Sequence, residues 1–412
     1  MPRSSIAVTA VLSLGLTLGQ VSIMTVPAVS VELAAVWALD ATEVGWLGGV
    51  YFTGYAAGLP FLSGAAGRLD GRYVYATSAA ISAAASLGFA IAADGFWSAF
   101  ALRFLAGVGF AGFHVVGMKL LVDRLAGEAQ ARAGAFYSAA YAIGSGASFL
   151  IAGEIAATFD WRSAFTAAGI AALLALPIPL FVGSPQDGAE LRSPRLLPDF
   201  ALALRDPEIR RYVLAYAGNT WEVFATRVWF VPFLAFNAGL YGGEVPGGWH
   251  PATLAGLSAI AAVPVSLLVA ELGVRLGRRR VILGTSVASV LVCGLIGWQA
   301  TAPYILIVAL LFLHGATSYG DAGAINGGIM RASRPETRAA ALALFGLAGF
   351  VSGFGGSLAV GAAVDAAGGR EDATAWLAAF LVLALGSVAT ALAVGGRQEM
   401  NLPSRRAVPD DR

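Results

Sequence analysis

The sequence ALRFLAG at residues 101–107 returns as ALLFLHG at residues 309–315, with five of seven positions identical at an offset of 208 residues. Two shorter matches lie at nearly the same offset. Thr-Ser at 77–78 recurs at 285–286, and the dipeptides Arg-Leu and Gly-Arg within 68–72 recur within 275–278. The offset is close to half of the 412 residues. Three matches in one order therefore indicate a chain built from two related halves.

The composition restricts the class of protein. Apolar residues make up 58% of the chain and charged residues only 12%, whereas a soluble domain is about one quarter charged. The net charge is +1 without a basic block, so we expect no nucleic-acid partner. The single cysteine, Cys293, excludes a disulfide framework. A soluble enzyme, a secreted disulfide-rich module and a disordered chain are all excluded.

Twelve apolar runs are long enough to cross a bilayer as helices. The first run resembles a signal peptide, but eleven more follow it, so we interpret it as a retained span. The sequence predicts an all-α polytopic membrane protein with twelve transmembrane helices in two pseudo-symmetric six-helix halves. The predicted spans are 6–29, 43–66, 73–93, 96–121, 132–156, 161–183, 211–236, 252–273, 281–300, 302–328, 339–363 and 373–395.

The longest polar stretch, residues 184–210, lies between spans 6 and 7 and contains four prolines. It predicts a cytoplasmic linker between an N-terminal half, 1–183, and a C-terminal half, 211–396, followed by a cytoplasmic tail, 397–412. The chain has 26 Lys and Arg, of which Arg103 and Arg227 lie deep inside spans. Only Arg162 and Arg370 fall in the loops on one side of the membrane, and the others lie on the opposite side. The basic excess on the other side places both termini in the cytoplasm.

Two turns rich in Gly and Arg, GAAGRLDGRY at 64–73 and AELGVRLGRRR at 270–280, occupy equivalent places in the two halves. Together with Arg103 and two glycines of span 4, they resemble the major facilitator superfamily (MFS) of secondary transporters. The resemblance implies the MFS fold, alternating access, and a central cavity lined by spans 1, 4, 7 and 10. Arg68 stands where the family usually has Asp, with Asp70 two positions later. The turn residues implied in gating are Gly64, Arg68, Asp70, Gly71, Arg72, Gly277 and Arg278.

Ionisable side chains inside the spans are costly, so each one suggests a function. The six that lie well inside are Arg103, His114, Glu222, Arg227, His314 and Asp321. All are in spans 4, 7 and 10, which the resemblance places around the cavity, and span 1 contributes Gln20. In span 7, Asn219, Glu222, Thr226 and Trp229 follow helical spacing and form one stripe, while Arg227 lies about 140° from Glu222.

These residues suggest separate roles. We expect Arg103 and Arg227 to bind an anionic solute through their guanidinium groups, and His114, His314, Asn219, Gln20 and Trp229 to line the substrate site. Glu222 is the expected proton-coupling carboxylate, unless it forms a permanent ion pair with an arginine. Asp321 is the second candidate for coupling, or a gate carboxylate.

The predicted function is secondary active transport of a small solute, an anion by preference, coupled to protons. The alternatives are an exporter of amphipathic or cationic drugs, and a receptor or scaffold that does not transport. We expect no enzymatic activity, cofactor or resident metal ion, and a monomer. The predicted location is the plasma membrane, specifically a bacterial inner membrane.

Overall fold

The computed structural model describes residues 3–182, 200–243, 245, 248–334 and 337–396. Most of the predicted linker, residues 184–199, and the predicted tail 397–412 lie outside the described residues. The described end of the linker contains a short helix, Phe200–Arg205, and the first residues of the helix that begins at Pro207.

Twelve long helices follow the predicted spans. They are α1 (Arg3–Gln20, resuming as Thr25–Trp37), α2 (Ala41–Ala66), α3 (Gly71–Ala92), α4 (Phe96–Val122), α5 (Gly127–Thr158), α6 (Trp161–Phe181), α7 (Pro207–Leu240), α8 (Pro251–Leu276), α9 (Arg278–Trp298), α10 (Tyr304–Ala332), α11 (Arg338–Ala366) and α12 (Ala373–Gly395). Eleven of them are long and apolar enough to cross a membrane. The remaining one, α2, has 26 residues and is long enough at about 39 Å, but its glycines and tyrosines make it less apolar.

The packing repeats with an offset of six helices. In the N-terminal half α1 packs against α5, α2 against α4, and α3 against α6; in the C-terminal half α7 packs against α11, α8 against α10, and α9 against α12. Close helix approach depends on small residues: a Cβ at Gly107 of α4 would lie 2.0 Å from the Tyr51 carbonyl oxygen of α2. The two-half architecture predicted from the repeat is therefore confirmed.

The halves meet through α2 with α11 and α5 with α8. We call one end of the bundle the outer face and the opposite end the inner face. The outer face carries the loop residues 38–40, 93–95, 159–160, 241–243, 248–250, 299–303 and 367–372. At the outer face the Asp365 carboxylate of α11 accepts hydrogen bonds from the backbone N–H groups of Ala41 (2.9 Å) and Thr42 (2.7 Å) at the start of α2. Arg370 also donates to the Leu39 carbonyl oxygen across the halves. The two halves are thus joined by hydrogen bonds at the outer face.

Three helices that contain predicted site residues are irregular near their middle. α1 is interrupted at residues 21–24, α4 contains a π-helical turn at Gly112–Val116, and α10 is interrupted at Asp321. In α1 the cause is Pro27, which has no N–H to donate to the Ile23 carbonyl oxygen. The predicted span 6–29 therefore consists of two pieces and ends later, at Trp37.

The turn between α2 and α3 contains the predicted gating residues. Asp70 caps α3 by accepting from the Arg72 backbone N–H (2.9 Å), and it pairs with the Arg72 guanidinium at 2.6 Å. These hydrogen bonds from Arg72 lower the pKa of the Asp70 carboxyl, so its contribution to stability is present at neutral pH and is lost only in acid. The equivalent turn requires glycine, because Gly277 has a φ of +93°. Gating itself stays a prediction.

Candidate functional site

A polar and aromatic cluster lies between the two halves near the middle of the bundle. We call it the central cluster: Tyr55, His114 and Tyr141 from the N-terminal half, with Arg227 and Tyr319 from the C-terminal half. Tyr55 is buried, and the other four side chains are half-buried. It therefore combines cationic, hydroxyl and imidazole groups where the two halves face each other.

Arg227 is the cation of this cluster. Its Nε donates to the Tyr319 hydroxyl oxygen (2.8 Å), and its guanidinium carbon lies 5.2 Å from the Tyr319 ring centre and 5.4 Å from that of Phe224. Tyr141 of the other half is close enough to interact with it electrostatically. Among the described residues no carboxylate forms an ion pair with Arg227. The partner of Arg227 is thus a hydroxyl group of α10, and the positive charge stays available.

The N-terminal half contributes an imidazole between two tyrosines. The Tyr55 hydroxyl lies 2.7 Å from His114 Nδ1, and the His114 ring stacks on Tyr141 with ring centres 4.7 Å apart. His114 belongs to the π-helical turn of α4, a feature often found at functional sites. The structure therefore brings two of the predicted residues, His114 and Arg227, into one cluster.

Arg103 does not join them. It is 1% exposed, and its guanidinium donates to the carbonyl oxygens of Ser22 (2.6 Å) and Ile23 (2.9 Å) and lies over the Tyr51 ring. These are the carbonyls released by the interruption in α1, one of them by Pro27. Substrate contact was expected of Arg103, but the structure assigns it to stabilising a broken helix.

We predict that Arg103→Leu lowers thermal stability. Two buried carbonyl oxygens would lose a charged donor, at a cost of about 1.5–3 kcal/mol for each hydrogen bond. The fall in Tm of purified protein measures this cost. The apparent affinity for a transported solute in the folded fraction should be unchanged, and a change in affinity without a change in Tm would return Arg103 to the substrate site.

The polar stripe of α7 points into the C-terminal half, which differs from the expected cavity-facing orientation. Glu222 is 1% exposed and accepts hydrogen bonds from Ser289 of α9 and Ser387 of α12. Trp229 is buried and donates to the Ser357 carbonyl oxygen of α11 (2.9 Å). The spacing of residues along α7 shows which of them share a face. Ser289 and Ser387, the serines of α9 and α12 that bind this face, were not recognised from the sequence. No arginine contacts Glu222 among the described residues. This conformation therefore does not contain the ion pair that was the alternative to proton coupling.

Asp321 lies at the interruption of α10 and is 3% exposed. Its Oδ1 accepts a hydrogen bond from Asn219 Nδ2 (2.7 Å), which also donates to the Ser318 carbonyl oxygen (2.7 Å). No cation pairs with Asp321 in the part of the chain that the structure describes. The structure thus joins two predicted residues, Asn219 and Asp321, at one buried carboxylate.

The remaining predicted residues are separate from the central cluster. Gln20 is fully buried and donates to the Ala140 carbonyl oxygen (3.3 Å). His314 is fully buried and lies beside Glu222 and Cys293. Sequence reasoning missed the tyrosines of the cluster because a single tyrosine in a span is an ordinary packing residue; Tyr319, two positions before Asp321, had the best signal.

Twelve helices in two six-helix halves, meeting around a partly accessible polar cluster, define a multi-pass membrane transporter. Residues 9–248 match the family model described as Major Facilitator Superfamily. The chain belongs to this superfamily, as its Gly-Arg turns predicted.

Similar proteins agree with this assignment. The niacin transporter NiaP of Acinetobacter baylyi is 28% identical over 137 residues, which cover 33% of this chain and 31% of that protein. The match thus spans about a third of the relative's length. The nucleoside transporter NupG has 16% identity with a TM-score of 0.78, covering 95% of this chain and 98% of its own. A bacterial homologue of the human lysosomal transporter Spinster, described as inward-facing and unoccupied, has 16% identity and a TM-score of 0.73, covering 96% and 95%. At these identities the two structures establish the fold alone.

Proposed function

We propose that this transporter moves a small carboxylate across the membrane by alternating access and couples that movement to protons. The observation that carries the proposal is Arg227, a half-buried guanidinium between the halves without a carboxylate partner among the described residues. A guanidinium presents paired donors that match a carboxylate. A solute anion would neutralise the charge that the described residues leave unpaired.

The surroundings of Arg227 favour a solute with a flat apolar part. Phe224 lies beside the guanidinium, and Phe350 lies 5.8 Å from Phe224 and 4.3 Å from Tyr55 by ring centres. Aromatic side chains accept planar solutes by stacking. The relative named as a niacin transporter supports this choice, since niacin is an aromatic carboxylate.

Asp321 is the carboxylate that we assign to proton coupling. It is buried, with one amide donor and no cationic partner among the described residues. A charged carboxylate in such a place is costly, so it should take up a proton when the site closes and release it when water enters. The coupling role expected of Glu222 has weaker support, because the hydroxyl groups of Ser289 and Ser387 already stabilise that carboxylate inside one half.

Uptake into liposomes tests the proposal. Purified protein is reconstituted, a proton gradient is imposed, and uptake of niacin and benzoate is compared with that of their uncharged amides, nicotinamide and benzamide. We expect uptake of a carboxylate and none of its amide. Transport of uridine or of the cationic dye ethidium, without transport of any carboxylate, would contradict the proposal. Ethidium transport would favour the drug-exporter alternative, although the positive charge of Arg227 would repel a cationic drug.

Asp365 is proposed to hold the outer face closed. Its carboxylate caps the first turn of α2 from the opposite half, and such a cap contributes about 1 kcal/mol. We predict that Asp365→Ala, which removes both acceptor oxygens, shifts the population toward an open outer face by roughly fivefold. Spin labels on Ala92→Cys and Glu371→Cys, both exposed at the outer face, report the change as a longer distance, because the native Cys293 is buried.

Asp372→Ala is the matched control for this measurement. Asp372 lies at the same face but caps α12 within its own half (2.7 Å to the Thr374 N–H). Equal distance distributions in all three proteins would show that Asp365 is not part of the closure.

We propose a plasma-membrane location with both termini on the cytoplasmic side. We also propose that the protein is a monomer. The basic excess at the inner face supports this orientation. We predict that a reporter fused after Arg280 is cytoplasmic and that one inserted in the loop after Leu240 is external. A cytoplasmic signal from the insertion would contradict the orientation.

A further inference from the structure

Three potential metal ligands from three different helices meet inside the C-terminal half. They are Glu222 of α7, Cys293 of α9 and His314 of α10, which are 1%, 0% and 0% exposed. The chain has one cysteine and three histidines. The cysteine and one of the histidines thus lie beside a buried carboxylate. A resident metal ion was not expected from the sequence.

The three donor atoms form a nearly equilateral triangle. Cys293 Sγ lies 3.7 Å from Glu222 Oε1 and 3.6 Å from His314 Nδ1, and that nitrogen lies 3.6 Å from the same oxygen. Donors bound to one tetrahedral zinc ion at about 2.0–2.3 Å lie about 3.3–3.6 Å from each other. A tetrahedral ion bound to three atoms with these separations would lie about 2.2 Å from each, within the range of zinc–ligand bond lengths. The triangle therefore already has the size of an occupied site.

The groups around the triangle orient the ligands. The Thr226 hydroxyl lies 3.0 Å from His314 Nε2, so Nε2–H can donate to it while Nδ1 keeps its lone pair. Ser289 and Ser387 donate to the two carboxylate oxygens of Glu222. Partners of this kind fix the ligands of metal sites in proteins.

We propose that Glu222, Cys293 and His314 bind one divalent transition-metal ion, with Zn²⁺ as the representative ion. The Cys293 thiol loses its proton on binding and Glu222 binds as the carboxylate. Their two negative charges neutralise the ion, which makes the site compatible with burial. An ion held in this way joins α7, α9 and α10. The proposal does not depend on the transported solute or on the coupling residue.

The test uses the full-length protein, purified in detergent through an affinity tag without histidines and stripped with a chelator. Zn²⁺ is added, unbound metal is removed by gel filtration, and the bound metal is quantified. We expect one Zn²⁺ per chain, a higher Tm with metal, and at least tenfold weaker binding by Cys293→Ser. His114→Gln, which removes a histidine in the other half, is the control and should bind as the wild type does.

Co²⁺ gives a second readout on the wild-type protein, so the proposal stays testable if the variants fail to fold. Tetrahedral coordination with a thiolate produces visible d–d bands and a thiolate-to-metal charge-transfer band. Absence of these bands, or equal metal binding by the wild type and a folded Cys293→Ser, would overturn the proposal and leave the triangle as a hydrogen-bonded network.

Discussion

Arg227→Ala should raise the apparent Km for a transported carboxylate by roughly 10- to 100-fold while the protein remains folded. The expected size follows from losing a charge-assisted hydrogen-bonding partner, about 1.5–3 kcal/mol, at 1.4 kcal/mol for each factor of ten. Arg227→Lys keeps the charge but loses the planar fork, so its Km should lie between those of the wild type and the alanine variant. Initial rates of uptake into liposomes provide the measurement.

Arg162→Ala is the matched control for Arg227. This arginine also lies over an aromatic ring, 4.2 Å from that of Trp161, but it is exposed at the outer face. Its replacement should leave Km unchanged. If Arg227→Ala transports the carboxylate with wild-type Km, the arginine only supports the structure and the anionic substrate loses its main argument.

Asp321→Asn should abolish accumulation against a gradient but preserve exchange. The amide has the shape of the protonated carboxyl and cannot release a proton, so the variant should still alternate with solute bound. Counterflow across membranes without a proton gradient measures exchange, and uptake under an imposed gradient measures accumulation. The expected loss is complete for accumulation and at most a few-fold for exchange.

Glu128→Gln serves as the control for Asp321, because it neutralises an exposed carboxylate at the inner end of α5. Accumulation by Asp321→Asn at the wild-type level would exclude Asp321 as the coupling carboxylate. Glu222→Gln, measured in parallel, then decides whether coupling belongs to the other buried carboxylate of this half.

The fold could be predicted from sequence because its signals are long. Apolar runs of more than 20 residues and a repeat at half the chain length leave few alternatives. The interruption of α1 was also readable in principle. Pro27 stands within the first apolar run, and a proline there must release the carbonyl oxygen four residues earlier. The prediction of an unbroken span did not use that signal.

The site was only partly predictable, because spacing along one helix does not show which way its polar face points. Glu222 and Arg227 were correctly placed on different sides of α7. Which side faces the other half depended on Ser289 and Ser387, ordinary residues of two helices distant in sequence. The contacts of Arg103 could not be predicted for a similar reason, since its partners are backbone carbonyls, which no side-chain pattern reveals.

The closure at the outer face has a consequence for mutational scanning. Asp365 binds the backbone amides of Ala41 and Thr42, and every residue except proline supplies such an amide. Exchanging side chains in a scan of α2 would therefore leave both amides in place and test only the Thr42 hydroxyl, which also donates to Asp365 (2.6 Å), and the packing of Ala41, which is 1% exposed. Proline fits the first turn of a helix without breaking it, so Thr42→Pro is the substitution that removes the Thr42 amide donor while sparing the helix. Because proline also removes the hydroxyl, comparison of Thr42→Pro with Thr42→Ala separates the contribution of the amide from that of the hydroxyl.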